Sequence, residues 1–358
     1  MRLGAVIVVG NEELILSGEE HAEQRLAPAN AAAFSGSAFL NEPLECVDIV
    51  GRSLVERTIE RFTAIDIHDI SVLVDSKAFL DMPNFRAGFG GSTVEGVSDL
   101  SSAMSRRFAD YSREGIDRSF VIAANTYTET DLLDLFCFHR ESRQAVTNAF
   151  DKEGSLPLWV VDCAKAQDMD PSGLLDRAHT NTKGASNYFI RDYASRLRHV
   201  RDMRRLTSDI LRSHCQTGPS GKQIRPGVWV DDGAEIHRRA RIVAPAYIGR
   251  ESMVRADALI TRCSAIERNC CIDCGTVIED SSILPNTNVG ICLDLREGVA
   301  SGNKLWNLER DVMIEISDPN VMHSNPGVNV SVTNQRKRTM VGGAALRVSK
   351  PNGHSMAV

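Results

Sequence analysis

Two short stretches carry side chains suited to holding a ligand, and each follows an apolar run. Gly10-Asn11 closes the run at 5–9, and Asn125-Thr126, with Thr128 just behind, closes the run FVIAA at 120–124. In a sheet with helices on its faces, the carboxyl end of a strand is where a ligand site belongs. Asn125, Thr126 and Thr128 present amide and hydroxyl groups that can hydrogen-bond a sugar or a base. None of the three is acidic, and the next carboxylates are Glu129 and Asp131. As a plain turn cap, Asn125 would need no ligand.

Other reactive types are read against their surroundings. Cys271 and Cys274 have the Cys-x-x-Cys spacing of a zinc site, with Cys263, Cys270 and Cys292 near them. His237 is the side chain that could deprotonate an acceptor in acyl transfer, but it is flanked by Glu235 and Arg238 and reads as a surface residue. His139 reads as one face of a helix. No metal site is assigned.

The elements that would position these groups follow two grammars. In the first half, runs at 5–9, 70–74 and 120–124 read as buried strands. Helices are expected over 53–62, 104–111 and 131–142. Such alternation predicts an α/β, doubly wound, Rossmann-like sheet over residues 1–194. Residues 11–44 and 87–98 read as long loops. A helix over 195–213 and a breaker-rich linker at 216–227 follow, so that 195–227 connects the halves.

From residue 228 the period changes. Val230, Ile236, Ile242, Ile248, Val254, Ile260, Ile266, Ile272, Ile278 and Leu284 recur at every sixth position. A small side chain follows each of the first nine by four residues, from Ala234 to Ser282. Neither a helix nor a flat strand has that period; a three-sided coil of hexapeptides does. Val289 and Leu295 continue it after a one-residue slip, giving roughly four coils over 228–310. In this register Cys270 takes a small inward position, and Cys274 and Cys292 fall one coil apart, which favours packing over metal binding. Trp229 and Trp306 bracket the stack, to close its ends or to pack on the first half. The tail 311–358 is polar, with a basic QRKR patch at 335–338, and is expected to be partly disordered.

Composition narrows the partners. The chain has 358 residues, 42% apolar and 25% charged, as in a globular protein of more than one domain. A net charge of −6 opposes binding to a phosphate backbone. Arginine is dense over 191–212, but Asp192, Asp202 and Asp209 interrupt it, so the segment reads as a solvated amphipathic helix and no nucleic-acid partner is expected. The apolar run at 4–9 is too short for a membrane span or a signal core. Nine cysteines, an odd number, suggest reduced thiols, and a cytoplasmic location is expected.

An α/β half followed by hexapeptide coils resembles the sugar-nucleotide pyrophosphorylases, the sugar-1-phosphate nucleotidyltransferases, whose second domain is a left-handed parallel β-helix. The stretch IVGRSLVERTIERFTAIDIHDISVLV (49–74) is similar to the family's Gly-Lys/Arg turn, helix and strand. FVIAANTYTETDLLDLFCFHRES (120–142) is similar to its strand with a Gly-Asp end and following helix, and RLRHVRDMRRL (196–206) to a helix late in its domain. The resemblance implies attack by a sugar phosphate on the α-phosphorus of a nucleoside triphosphate, helped by charge neutralisation and alignment. A Gly-rich loop, a Lys and two Asp that hold Mg2+ would supply it.

Each of those elements departs from the family pattern here. Only Gly10 remains of the loop, followed by Asn11 and two glutamates; Arg25-Leu26-Ala27-Pro28 is a displaced remnant of its Arg-Leu-x-Pro. The expected Lys is missing around 41–47, Asn125 stands where the metal-binding Asp would be, and Arg196 at the second. The resemblance therefore implies a fold kept after its phosphoryl-transfer apparatus was lost. Such a protein would bind a nucleotide-sugar or sugar phosphate through Gly10, Asn11, Arg25, Asn125, Thr126 and Thr128. It would work as a homo-oligomer or beside an active homologue. Three other readings stay open: a working nucleotidyltransferase with Mg2+ on Glu129 and Asp131, an acyltransferase using His237, and a scaffold that binds no small molecule.

Overall fold

A computed structural model of the chain describes residues 2–10, 39–40, 42–75, 89, 91–167 and 185–325, which belong to a compact unit spanning Met1–Pro326. The first half builds one mixed sheet. Its strands are β1 (Arg2–Val9), β2 (Asp69–Val74), β3 (Thr93–Gly96), β4 (Ile116–Ala123), β6 (Val146–Asp151), β7 (Gly154–Asp162) and β8 (Ala185–Phe189); β5 (Thr126–Thr128) pairs instead with β9 (Ala194–Arg196). The order is β3-β2-β1-β4-β7-β6-β8, and only β7 runs against the rest. Six strands therefore end on one edge of the sheet, and the chain order reverses between β1 and β4.

The pleat sends alternate side chains to opposite faces. Ala5, Ile7 and Val9 of β1 meet Val55 and Phe62 of helix α1 (Leu54–Ala64). Val6 and Val8 face the other way, toward Met104 and Phe108 of α2 (Leu100–Arg113). Helices thus cover both faces, with α3 (Leu132–Ser142) on the first and α4 (Cys163–Gln167) on the second. The start of α1 is fixed by a capping box: Ser53 Oγ accepts from Glu56 N, and the Glu56 carboxylate accepts from Ser53 N at 2.8 Å. Asp131 caps α3, accepting from Leu133 N at 2.8 Å.

His139 of α3 is buried, with Nδ1 2.8 Å from Thr147 Oγ1. Burial, then Arg118, pushes its pKa down to about 4. The folded state favours neutral imidazole, so the unfolded chain binds the proton more readily below the ordinary value of 6.5. Stability is expected to fall as pH drops from 6.5 toward 4. His139→Gln should flatten that limb of a plot of Tm against pH.

The second half is a stack of short parallel strands in which every third strand joins the same sheet. Ile242 pairs in register with Ile260 and Ile260 with Ile278, and Val254 with Ile272. The arrangement is compatible with a parallel β-helix, as the six-residue period predicts. Its small inward residues also serve the backbone. Ser252 Oγ donates to Glu267 O at 2.5 Å and accepts from Cys270 N at 3.0 Å; Thr276 Oγ1 likewise donates to Gly290 O and accepts from Leu293 N.

The slip falls earlier than the repeat suggests. Ile266 pairs with Ile283, so Ile283 enters the coil core and Leu284 turns outward, while Ser281 takes the small inward position expected for Ser282. The connecting segment also differs from expectation. Ser195 and Arg196 lie in β9, and helix α5 (Val200–Leu211) begins only at Val200, because β9 is held by β5.

Helix α5 lies between the halves. Met203, Leu206 and Ile210 share a buried cluster with Ile49 and Leu54 of the α/β half and with Tyr247, Leu284, Val299 and Trp306 of the coil. Trp306 meets Phe39 edge-on at 5.6 Å, so this tryptophan packs the halves together. At the same seam the fully buried Glu267 carboxylate accepts from Val50 N at 2.7 Å and Gly51 N at 2.9 Å. Burial, reinforced by Asp48, raises its pKa. Arg268 pairs with Asp48 beside it.

Candidate functional site

At the strand-order reversal the structure brings Gly10 and Asn125 to the ends of neighbouring strands; Ala124 N donates to Val8 O at 2.8 Å. Gly10, at φ 78°, donates its amide to Glu45 Oε1 at 2.6 Å. Glu45 is buried, on a 3-10 turn at Leu44–Cys46. A carboxylate thus sits on the amide that a phosphate would need, and like charges repel at this range.

Asn125, Thr126 and Thr128 are all buried; Thr126 and Thr128 pair with β9 through the backbone, and their side chains bond locally. Leu197 N donates to Asn125 O at 2.7 Å, and Asn125 Nδ2 donates to Leu197 O at 3.4 Å. Thr126 Oγ1 reaches Asn125 Oδ1 at 3.4 Å, and Thr128 Oγ1 accepts from Thr130 N at 3.3 Å. The two carboxylates behind them also have partners. Glu129 accepts from the Tyr127 hydroxyl at 2.8 Å and from Gln216 N, while Asp131 caps α3. Asn11 and Arg25 lie outside the described residues.

A pocket of about 760 Å³ opens further along the same edge of the sheet. The β6–β7 turn contributes Asp151, Lys152 and Glu153; the segment after β8 contributes Arg191, Asp192 and Tyr193; Arg198, Asp202, Arg205 and Asp209 come from the approach to α5 and the helix itself. Arg196 of β9 forms its floor. That guanidinium grips Asp151 with two bonds of 2.8 Å and also donates to Gly154 O and Ser155 O.

Charge in the pocket is unevenly committed. Asp151 is tied to Arg196, Asp202 accepts from the amides of Arg198 and His199 at 2.9 Å each, and Asp209 accepts from the Tyr193 hydroxyl at 2.6 Å. Burial, then Asp209, raises the Tyr193 pKa and keeps that hydroxyl a donor. Among the described residues, by contrast, no ion pair joins Lys152, Arg191 or Arg205, and all three are exposed. Their donors can turn to an anion, and guanidinium groups match phosphate oxygens in pairs. The dense arginines at 191–212 were the available signal in the sequence. Reading them as one solvated helix hid the site, because it is assembled from three separate segments.

The other reactive residues stand apart from this pocket. His237 is exposed, and its Nδ1 accepts from Arg239 N at 3.2 Å. Cys270 is buried in the coil and donates its thiol to Leu284 O at 3.1 Å, while Cys274 and Cys292 sit in adjacent coils, joined by Cys292 N donating to Cys274 O at 3.0 Å. Among the described residues no three or more His, Cys, Asp or Glu side chains gather as they would around a metal ion, and no helix is long and apolar enough to cross a membrane. Compared with known proteins, the chain matches no family model and no curated protein.

Proposed function

We propose that this chain is a nucleotide-sugar pyrophosphorylase-like protein, with a left-handed β-helix, that binds a sugar phosphate or nucleotide-sugar without transferring a phosphoryl group. It serves a sugar-nucleotide or polysaccharide pathway as a sensor, as a homo-oligomer or beside an active homologue. The observation that carries this reading is the pocket beside β9, where the acids are largely engaged and three cations are uncommitted. Its volume lies within the range of small-molecule sites, about 300–1,000 Å³. Phosphate would meet Arg191, Arg205 and Lys152, and sugar hydroxyls would meet Asp192 and Glu153. Loss of transfer chemistry is supported by the Glu45 carboxylate on the Gly10 amide, where a triphosphate would otherwise be cradled.

The test is calorimetric titration with nucleoside triphosphates and nucleotide-sugars, with and without Mg2+, followed by a pyrophosphate-release assay. Nucleotide-sugar binding that does not depend on Mg2+, and that weakens about tenfold in Arg191→Gln, is expected. Triphosphates should bind poorly. Mg2+-dependent triphosphate binding with release of pyrophosphate would instead identify a working nucleotidyltransferase.

A further inference from the structure

The coil meets its surroundings at one docked flank and at two ends of unlike character. On the flank, Arg204 of α5 donates to Asp280 Oδ1 at 2.5 Å. The eight-stranded sheet of this flank finishes in the strand Lys222–Arg225 at the head of the coil and in the strand Val312–Glu315 at its tail. Among the described residues each of these has a single strand neighbour, and every residue of both is exposed.

Both strands carry apolar side chains where an edge is usually polar. Ile224 is 59% exposed, and Val312 and Ile314 are each 46% exposed. Directly opposite residues of an antiparallel pair share a face of the sheet. Ile314 stands opposite Leu305, and Leu305 opposite Ala300, which lies in the coil core. The core column therefore continues past the last coil and out into solvent. At the head the column is partly open: Ile236 is half-buried, whereas Val254, paired with it one coil on, is 1% exposed. An edge with such side chains is a template for pairing with another chain.

Charge selects the chain. Arg239 is ion-paired with Asp257, and Asp311 with Arg201. With those set aside, Lys222, Arg225, Arg238 and Arg241 outnumber Asp232 and Glu235 at the head. At the tail, Glu309, Glu315 and Asp318 outnumber Lys304 and Arg310. Two heads or two tails would set like charges opposite one another, which destabilises a sheet; a head on a tail sets opposite charges together. We infer that copies of this chain join end to end, the strand Lys222–Arg225 of one pairing with the strand Val312–Glu315 of the next. The head strand runs against the coil strands, and the tail strand, after two reversals, runs with them. Copies pointing the same way therefore meet antiparallel, and the sheet runs on from one coil into the next. Val312 and Ile314 of one copy are covered by the open first coil of its neighbour. Such a contact is heterologous, so a free end remains after every addition and growth stops only where the file closes on itself. The inference rests on the homo-oligomer part of the reading above, whose interface it names, and it needs no ligand.

The test is the mean mass of the full chain in solution, by sedimentation and light scattering, from about 1 µM to about 1 mM. The unaltered chain should pass the mass of two copies as concentration rises. Ile224→Lys, which blocks the head, and Ile314→Lys, which blocks the tail, should each remain single chains. Both sites are exposed, so the thermal melts of the variants should match that of the unaltered chain. An equal mixture of the two variants should form pairs and nothing larger, because one intact tail meets one intact head. No ligand is added, so a failure of nucleotide-sugar binding and a failure of assembly are read separately. The inference is overturned if the unaltered chain stays single throughout, if either variant alone still associates, or if the mixture forms no pairs.

Discussion

Alanine at position 51 is expected to unseat the coil from the α/β half. Gly51 holds φ +90°, and a Cβ there would lie 2.3 Å from the Tyr247 hydroxyl and 2.7 Å from Ser220 Cβ. Backbone strain of this kind costs about 1–3 kcal/mol for a residue with a side chain. The clash also displaces the turn whose amides, Val50 N and Gly51 N, are the donors to the Glu267 carboxylate. Each buried polar group left without a partner adds roughly 1–3 kcal/mol. A loss of about 4 kcal/mol is a large share of the 5–15 kcal/mol that holds a typical domain. Urea unfolding of Gly51→Ala should shift to a much lower midpoint and split into two transitions. Gly115→Ala is the matched control, since Gly115 has φ +78° but nothing within 4 Å of its added Cβ. If the two variants lose the same stability, the clash at the seam contributes nothing.

Arg196→Ala should have an effect of similar size, with a different signature. Arg196 and Asp151 are both almost fully buried at the side chain, 9% and 8% exposed. Removing one partner of such a pair costs about 3–5 kcal/mol, because the other charge stays buried. The pocket floor also goes with it, so ligand binding should vanish even where the protein stays folded. Burial works to raise the pKa of Asp151. Arg196 and the amides of Glu153 and Gly154 outweigh burial and hold it below the ordinary 3.8. The lowered pKa stabilises the fold above pH 3.8, and that contribution disappears as pH falls through the folded-state value. Tm plotted against pH should therefore drop less steeply at acid pH in Arg196→Ala than in the unaltered chain. Arg196→Lys, which keeps the charge without the fork, should restore part of the stability and little of the binding.

The elements were legible where one stretch of chain decides its own conformation. The helix expected over 53–62 appears as α1, and the apolar runs of β1, β2 and β4 lie where strands form. The six-residue period announces a coil because its core needs one aliphatic side chain per face. What failed to show was pairing between distant residues. Asp151 and Arg196 stand 45 positions apart, Gly10 and Glu45 stand 35 apart, and Gly51 and Glu267 stand 216 apart. No periodicity couples such partners. Arg196 reads as helical by its neighbours, yet its strand is dictated by Thr126 across β5. Leu284 keeps the six-residue beat by coincidence, since a deletion one face earlier had already moved that place to Ile283.

The seam also sets a common length for two unlike structures. On the docked face, Trp229, Tyr247, Ala265, Ser282 and Val299 stand one above another in successive strands. At about 4.8 Å per strand, this column rises roughly 19 Å. Helix α5 has 12 residues, which at 1.5 Å each reach about 18 Å. The coil stack and the helix therefore match as a peg matches its slot. An extra coil inserted within the column would keep its own ladder in phase, yet push Glu267 or Asp280 one step out of line with the turn or the arginine it meets. Growth of the stack is thus free only beyond the ends of that column, and its docked height is inherited as a single dimension with the helix.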